Sequence, residues 1–447
     1  MKKKSFDFYI QGAVQLGIAF GVVSILARWI TGNTILSSPQ TLIRYGLIGG
    51  IGYAFMGGLA LVLFGFVARK ISYTFTGQMT IGDVLKQKLN PFGYWYMMIL
   101  LFAMGIYALF IQTMGAGLLL YILFPFPLFI GMMVFLFLLF LIGGIGGLYR
   151  IHQLAGISVI LIFGTIILIP VYSYMHEGVT TIFEGIRLYH PYLLFTKNNE
   201  SLWFISTGLL VFFGQMITDR ATWQRVFIIK KEKVKMAFVL TGMIWFTIPI
   251  AITSLFLLAI SGRSFDNPYS LIFELISILN SNVLIFVFVL FCFAAVLSAA
   301  SSELHSLNTL FIRNVVAEFK PLSTQQQFKY KNIFSLALIA VLFLAALFLT
   351  PYPTQLLFFF GNIYSSMIFA ILYIVFSKGN ETLPPVLSSF VGIVGGFISS
   401  PFTTYFESVW ISFLLSGILC GLFLIKKAIQ QHSPASSSSE EQPYDTN

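Results

Sequence analysis

The sequence predicts an all-α polytopic membrane protein with about twelve transmembrane helices. Three observations lead to this prediction: the composition, the length of the apolar runs and the placement of the basic residues. Of the 447 residues, 57% are hydrophobic and only 9% are charged. Crossing the hydrocarbon core takes roughly 20 apolar residues in a helix, which satisfies its own backbone polar groups there. About a dozen runs of the chain reach that length.

The predicted spans are joined by short segments, none longer than about 25 residues. Such segments leave no room for a nucleotide-binding or other soluble domain, so the function must reside in the polar residues of the helices. The spans are expected at roughly 8–30, 44–68, 94–124, 126–147, 152–175, 201–222, 235–261, 283–312, 331–350, 354–377, 384–402 and 405–425.

The basic residues are distributed unequally between the two sides of the membrane. With the N-terminus inside, the inner segments hold 20 of the 26 lysines and arginines, and the outer segments hold four. Cytoplasmic loops of membrane proteins are enriched in these residues. We therefore expect both termini to be cytoplasmic, in the plasma (inner) membrane. The net charge of +10 then reflects topology and does not indicate binding to nucleic acid.

Two spans contain polar residues that predict a break in the helix. The first span carries Arg28–Thr34, followed by Ser37, Ser38 and Pro39, and the sixth carries Gly214–Arg220. Helices broken near the bilayer midplane head the two inverted repeats of many transporters, where unwound backbone binds solute and ions. A helix end near the inner surface is the alternative for the sixth span.

The two broken spans divide the chain into segments that repeat a set of five helices. The predicted segments are a cytoplasmic N-terminus at 1–7, a first five-helix repeat at 8–176, an outer loop at 177–200, a second five-helix repeat at 201–377, two additional helices at 378–430 and a disordered cytoplasmic tail at 431–447.

Polar side chains near these breaks and in two other spans are candidates for binding a solute. They are uncharged apart from Arg28, and each one taken alone is also compatible with a packing contact between helices. The candidate solute-binding residues are Arg28, Thr31, Asn33, Gln112, Thr113, Gln215 and Asn362.

Four local patterns, in order, are similar to those of the sodium:solute symporter family, which carries proline, pantothenate, sugars, acetate and sialic acid. The resemblance covers roughly residues 10–425, and its most specific part is the last pattern. The patterns are Gly32–Pro39 leading into Tyr45 and Gly46; Gly143–Gly147 followed by Gln153; Asp219 with Gln224 and Arg225; and Ala294–Leu304.

This resemblance implies a ten-helix, inverted-repeat core of the leucine-transporter type with two additional C-terminal helices. Family members usually carry one further helix before the broken first helix. We therefore expect this chain to begin directly with the core, in agreement with Lys2, Lys3 and Lys4 on the predicted inner side.

The resemblance also implies a sodium site between the first and eighth core helices. The carbonyls of Ala27, Ile30 and Ala295 and the hydroxyl of Ser298 would coordinate the ion. Ala299 stands where the family has a second hydroxyl, and an alanine side chain offers no oxygen to a hard cation.

Arg28 admits three interpretations, because a charged residue within a span is usually functional or paired. It could take the place of the cation, bind an anionic solute, or pair with a carboxylate such as Glu303. Glu303 and His305 could form a proton relay. The simpler expectation places both residues in a solvated inner vestibule, with His152 also solvated.

The predicted function is secondary active transport of a small organic solute, with a carboxylate or an amino acid as candidates. Alternating access would be coupled to a cation, with Na⁺ as the family's coupling ion, and no enzymatic activity or other cofactor is expected. The expected partners are the solute and the lipid bilayer. The alternatives are a sodium-independent or proton-coupled carrier, and a sensor or partner subunit that binds solute without moving it.

Overall fold

The computed structural model describes residues 5–12, 15–124, 127–195, 198–262, 279–348 and 353–432. The predicted tail beyond residue 432, and most of the segment between the seventh and eighth spans, lie outside these ranges. The described chain is almost wholly helical. In chain order the helices are α1 Phe6–Gln11, α2 Ile18–Trp29, α3 Gly32–Thr74, α4 Ile81–Lys88, α5 Pro91–Leu123, α6 Leu128–Leu139, α7 Gly147–Glu177, α8 Val179–Tyr189, α9 Asn199–Thr218, α10 Arg220–Ile228, α11 Val234–Ile260, α12 Asn282–Phe311, α13 Thr324–Phe348, α14 Pro353–Phe376, α15 Leu383–Ser399 and α16 Tyr405–His432.

The lengths of these helices confirm the predicted fold class. Within the described ranges, ten helical stretches are long and apolar enough to cross a membrane, and α2 and α15 are shorter apolar helices. A turn of π-helix, Phe140–Ile145, extends α6, and another, Ile312–Val316, extends α12. Together they form an all-α membrane protein with about twelve crossings.

The first crossing differs from its predicted bounds of 8–30. It begins at Ile18 in α2 and continues beyond a break into the first part of α3, which ends in a kink at Gly46 (φ 70°, ψ −168°). The second crossing follows within the same helix. The predicted start is too early because α1 is also apolar: Phe6, Tyr9 and Ile10 are buried, but this short helix lies before the crossing.

The kink at Gly46 requires glycine for two reasons. Its positive φ is a conformation that residues with a Cβ rarely adopt. A Cβ at this position would also lie 2.9 Å from the carbonyl oxygen of Leu193. Gly46 therefore permits the kink that separates the first crossing from the second.

Both predicted helix breaks are present. At the first, the Thr31 side chain caps α3 in a capping box with Thr34, and the Gly32 N–H donates to Gln112 Oε1 at 3.0 Å. At the second, Asp219 is extended (φ −74°, ψ 112°) and caps α10. Asp219 and Arg220 are only 2% and 4% exposed, so this break is buried within the protein, and its depth in the membrane stays a prediction.

Helices α3 and α11 approach so closely that their backbones touch. A Cβ on Gly242 would lie 2.5 Å from the carbonyl oxygen of Gly58 and 2.8 Å from Val62 Cγ2. Small residues allow such contacts between membrane helices, where van der Waals packing drives association.

We expect Gly242→Ala to destabilise the protein by about 1–3 kcal/mol, because the added methyl group forces the two helices apart. The matched control is Gly156→Ala, where a Cβ meets nothing within 4 Å. This control should leave stability unchanged or raise it by up to about 1 kcal/mol, since alanine favours the helix. Unfolding of both purified variants in detergent measures the difference, and equal stabilities would contradict the prediction.

Candidate transport site

A buried ion pair joins the two broken helices. The Arg28 guanidinium, on α2, lies 2.5 Å from Asp219 Oδ1 through Nη2, and its Nε donates to Oδ2 at 3.2 Å. Both side chains are nearly inaccessible. Because Asp219 lies at the break between α9 and α10, this pair connects the interrupted parts of the two repeats.

A second carboxylate extends the pair to α12. Glu303 Oε2 accepts from Arg28 Nη2 at 2.5 Å, and Oε1 accepts from Arg220 Nη2 at 2.5 Å and Nε at 2.9 Å. Arg220 Nη1 donates in addition to the Leu101 carbonyl of α5 at 2.8 Å. The four charged side chains Arg28, Asp219, Arg220 and Glu303, called here the central ion network, balance two positive against two negative charges.

This geometry agrees with one of the three interpretations of Arg28, the pair with a carboxylate. Its guanidinium is paired with Glu303, as one interpretation required, and also with Asp219. Removing charges from water costs several kcal/mol per ion unless each one is paired and hydrogen bonded. The close pairing of Arg28 satisfies that requirement and keeps its charge from facing the cavity unbalanced.

The expectation of a solvated inner vestibule at Glu303 and His305 is wrong. Both residues are 0% exposed. The His305 ring packs against Tyr9 of α1, with centroids 4.7 Å apart. His152 is also not fully solvated, because its Nε2 atom is buried and has no hydrogen-bond partner in the described part of the chain. Helix α1 thus packs beside the C-terminal part of α12, where these residues are buried.

Arg225 forms a further link between α10, α2 and α12. Its guanidinium donates to the carbonyl of Ser24 at 2.9 Å, to the carbonyl of Ala221 at 2.8 Å and to Ser302 Oγ at 2.9 Å. Since Ser24 and Ser302 are both buried, this contact joins α2, α10 and α12 inside the protein.

The residues proposed for the sodium site are all buried. Ala27, Ile30, Ala295 and Ser298 are each at most 1% exposed. The Thr31 N–H bonds Thr34 Oγ1 at 3.2 Å, so the chain leaves the helical pattern beside Ala27 and Ile30. Ser298 Oγ has no hydrogen-bond partner among the described residues. The hydroxyl is therefore available to a ligand, and assignment of these atoms to sodium remains a prediction.

A small cavity of about 30 Å³ lies beside the break in the first crossing. It has room for only a few water molecules, so this conformation leaves no space for a metabolite. Polar side chains and aromatic rings share its wall. The lining residues are Arg28, Trp29, Thr31, Thr34, Ser37, Tyr53, Tyr107, Ala108, Ile111, Gln112, Phe212 and Gln215.

Four of the candidate solute-binding residues, Arg28, Thr31, Gln112 and Gln215, line this cavity. The side chain of Asn33 lies outside the described part of the structure. Two other candidates lie elsewhere. Thr113 donates to the Leu109 carbonyl of its own helix at 2.9 Å, and the Asn362 oxygen accepts from Ser412 on α16 at 3.3 Å.

Sequence reasoning missed the aromatic part of the cavity wall. Tyr107 is 5% exposed, and its hydroxyl has no partner in the described chain. Its ring stacks on Phe360 with centroids 3.9 Å apart. The signal for this residue is helical spacing: Tyr107 and Ile111, like Ala108 and Gln112, are one turn apart on α5, and all four line the cavity.

Two broken crossings that meet at buried charges, beside a cavity within a bundle of apolar helices, define a secondary transporter of the inverted-repeat type. The sodium:solute symporter family model matches residues 8–378. The chain therefore belongs to the sodium:solute symporter family. This membership makes it a cation-coupled, secondary active transporter of a small solute.

Solved structures share the fold. A Na⁺-coupled sialic acid symporter in a substrate-bound outward-open state aligns with a TM-score of 0.76 at 15% identity, over 95% of this chain and 93% of that chain. Mhp1, a nucleobase-cation-symport-1 family transporter in a closed conformation with bromovinylhydantoin, gives 0.59 at 13% identity, over 96% of both chains. MhsT in complex with L-phenylalanine gives 0.56 at 15% identity, over 93% of this chain and 99% of that chain. A sequence search of curated proteins finds no match.

We expect Arg28→Gln to destabilise the protein by about 3–5 kcal/mol, because it leaves buried carboxylates without their shared partner. The control is Arg44→Gln, which removes an exposed arginine 4.0 Å from Glu200. This change should cost at most about 1 kcal/mol. The two variants are compared with the unaltered protein by thermal unfolding in detergent. A loss for Arg28→Gln no greater than for Arg44→Gln would show that the central ion network does not stabilise the fold.

Proposed function

We propose that the protein carries a small polar solute without net charge, either uncharged or zwitterionic as an amino acid is. The solute occupies the cavity beside the break in the first crossing and moves together with sodium. The observation that supports this class of solute most directly is the neutralised charge of Arg28, which stands in the cavity wall already paired with Asp219 and Glu303.

A net anion would have to compete for Arg28 with two buried carboxylates. Either carboxylate, once displaced, would lose part of its compensation in a dry environment, at a cost of several kcal/mol. A solute without net charge avoids this cost, because it leaves the balance of the central ion network unchanged.

The other groups of the wall fit the hydrogen-bonding parts of such a solute. Gln112 uses its oxygen to accept from the Gly32 N–H, which leaves its amide NH₂ to donate. Tyr107 offers a hydroxyl that has no partner among the described residues. The N-terminal end of α3, which starts at Gly32, carries a partial positive charge that favours a carboxylate group of a zwitterion. Trp29 and Phe212 supply apolar surface.

Sodium coupling is supported by family membership and by the free hydroxyl of Ser298. A hard cation needs oxygen ligands, and the carbonyls of Ala27, Ile30 and Ala295 would supply three more. With Ala299 in place of a second hydroxyl, this ligand set is smaller than the one the family resemblance implies. Proton coupling is the alternative that the flux experiment below separates.

The orientation in the membrane follows from charge. With 20 basic residues on one side and four on the other, we infer that both termini lie in the cytoplasm of a cell whose plasma (inner) membrane holds the protein.

A thermal-shift screen of the purified protein tests the solute class, because a ligand raises stability by mass action. The panel compares zwitterions, uncharged polar metabolites and monocarboxylates, each with and without sodium. We expect stabilisation by members of the first two groups. Stabilisation by monocarboxylates alone would contradict the proposal.

With the solute from that screen, Tyr107→Phe should weaken binding about 3- to 10-fold, because it removes a hydroxyl that would bond the solute. The matched control is Tyr121→Phe on the same helix, where the side chain is 52% exposed. Isothermal titration of both variants measures the change. Unaltered affinity in Tyr107→Phe would remove this hydroxyl from the solute site.

In proteoliposomes, Ser298→Ala should abolish the sodium dependence of solute uptake, since it removes the only side-chain oxygen proposed for the ion. Ser301→Ala is the control, because Ser301 is equally buried on α12 and its hydroxyl likewise has no described partner. Sodium dependence that persists in Ser298→Ala would disprove the assignment. Uptake that ignores sodium but falls when a pH gradient is collapsed would establish proton coupling.

A further inference from the structure

Two acidic side chains are buried in the described part of the chain, Asp219 and Glu303, and they are held differently. Asp219 receives the Thr222 N–H at 2.7 Å and the Thr222 hydroxyl at 2.5 Å, in addition to Arg28. All its partners belong to the broken crossings. The Arg28–Asp219 pair can therefore move as one unit when those crossings move.

Glu303 depends on arginines alone. Arg28 of α2 and Arg220 of α10 donate to its oxygens, and no hydroxyl or main-chain N–H among the described residues does so. Glu303 is thus the single carboxylate through which α12 holds both broken crossings.

Alternating access moves one part of the bundle relative to the other around the central site. In this structure Arg225 and the central ion network tie the inner parts of α2 and α10 to α12. Opening towards the cytoplasm has to separate these helices. The separation removes both of Glu303's partners in one movement, whereas Arg28 and Asp219 keep each other.

A carboxylate that loses its partners inside a protein costs several kcal/mol in its ionised form, and such a group becomes neutral instead. A proton from water supplies that neutrality. The carboxylic acid formed keeps one O–H donor and returns the proton when the arginines come back.

We propose that Glu303 is a proton-binding site of the transport cycle. It is ionised and held by Arg28 and Arg220 when the inner side is closed, and protonated when α2 and α10 leave α12. This inference rests on the proposed carrier function and adds a proton to its coupling ions.

Few other groups around Glu303 could titrate and so produce a pH response. The charged and titratable neighbours are Arg28 from α2, Asp219, Arg220 and Arg225 from the second break and α10, and Tyr364 from α14. On α5, Glu303 lies beside Gly105, and the Leu101 carbonyl accepts from Arg220. His305 lies on the same helix but packs against Tyr9, and its charged and titratable neighbours include Lys331 and His152.

The test uses a cysteine reporter and needs no solute. In a Cys292→Ala, Cys420→Ala background, Ser24→Cys places a thiol on α2, one turn inward from Arg28, where the native side chain is 1% exposed. Its reaction with a water-soluble maleimide in nanodiscs reports opening of the inner side. Ser323→Cys, at an exposed position between α12 and α13, corrects for the effect of pH on the thiol itself.

The accessibility ratio is the maleimide reaction rate of Ser24→Cys divided by that of Ser323→Cys. We expect this ratio to rise about tenfold from pH 7.5 to pH 5.5, because protonation favours the open form. In Glu303→Gln, which stays neutral, the ratio should be high at both pH values. Glu200→Gln, an exposed carboxylate on the outer side, and His305→Gln should keep the response of the unaltered protein.

A flat accessibility ratio in the unaltered protein, or a pH response that survives in Glu303→Gln, overturns the proposal. If Glu303→Gln is not monodisperse, the pH profiles of the accessibility ratio in the unaltered protein and in Glu303→Asp decide instead. Loss of the pH response only in His305→Gln would assign that response to the imidazole. Solute flux is measured separately. A carrier with no pH response therefore refutes only the proton site, whereas a pH response without flux refutes only the carrier function.

Discussion

The structure depends on a balance of charge in the protein interior, where an unpaired charge is strongly destabilising. Arg28 and Arg220 meet Asp219 and Glu303 with almost no access to water. Each ion makes the burial of the others tolerable, so none can be removed alone without a large penalty. The two interrupted crossings, whose free backbone is intrinsically less stable than continuous helix, are held together at this point.

The same balance shapes the cavity. Because the positive charge of Arg28 is paired inside the protein, the other groups in the cavity wall are amides, hydroxyls and aromatic faces. Under the proposed function, selectivity would come from hydrogen-bond geometry at residues such as Tyr107 and Gln112. Sites of this kind discriminate well, because a mismatched solute leaves a buried polar group unpaired.

Much of this architecture could be predicted from the sequence, because membrane helices are recognisable by their length and composition. The break at Thr31 and Gly32 is visible as polar residues in an apolar run, and Glu303 is recognisable as one partner for Arg28. The second partner, Asp219, lies at the other helix break, and no local pattern reports that the two breaks meet. The predicted start of the first crossing is wrong because hydropathy does not distinguish α1, buried against protein, from a helix buried in lipid.

A short connection at the inner surface has a mechanical consequence. The Leu16 N–H donates to the Ile228 carbonyl at 2.8 Å, and the Lys230 N–H donates to the Leu16 carbonyl at 3.0 Å. These two hydrogen bonds connect the start of α2 to the end of α10. The two half-helices are therefore expected to move together. Anything that pulls on the peptide ahead of Leu16 is transmitted to both halves at once.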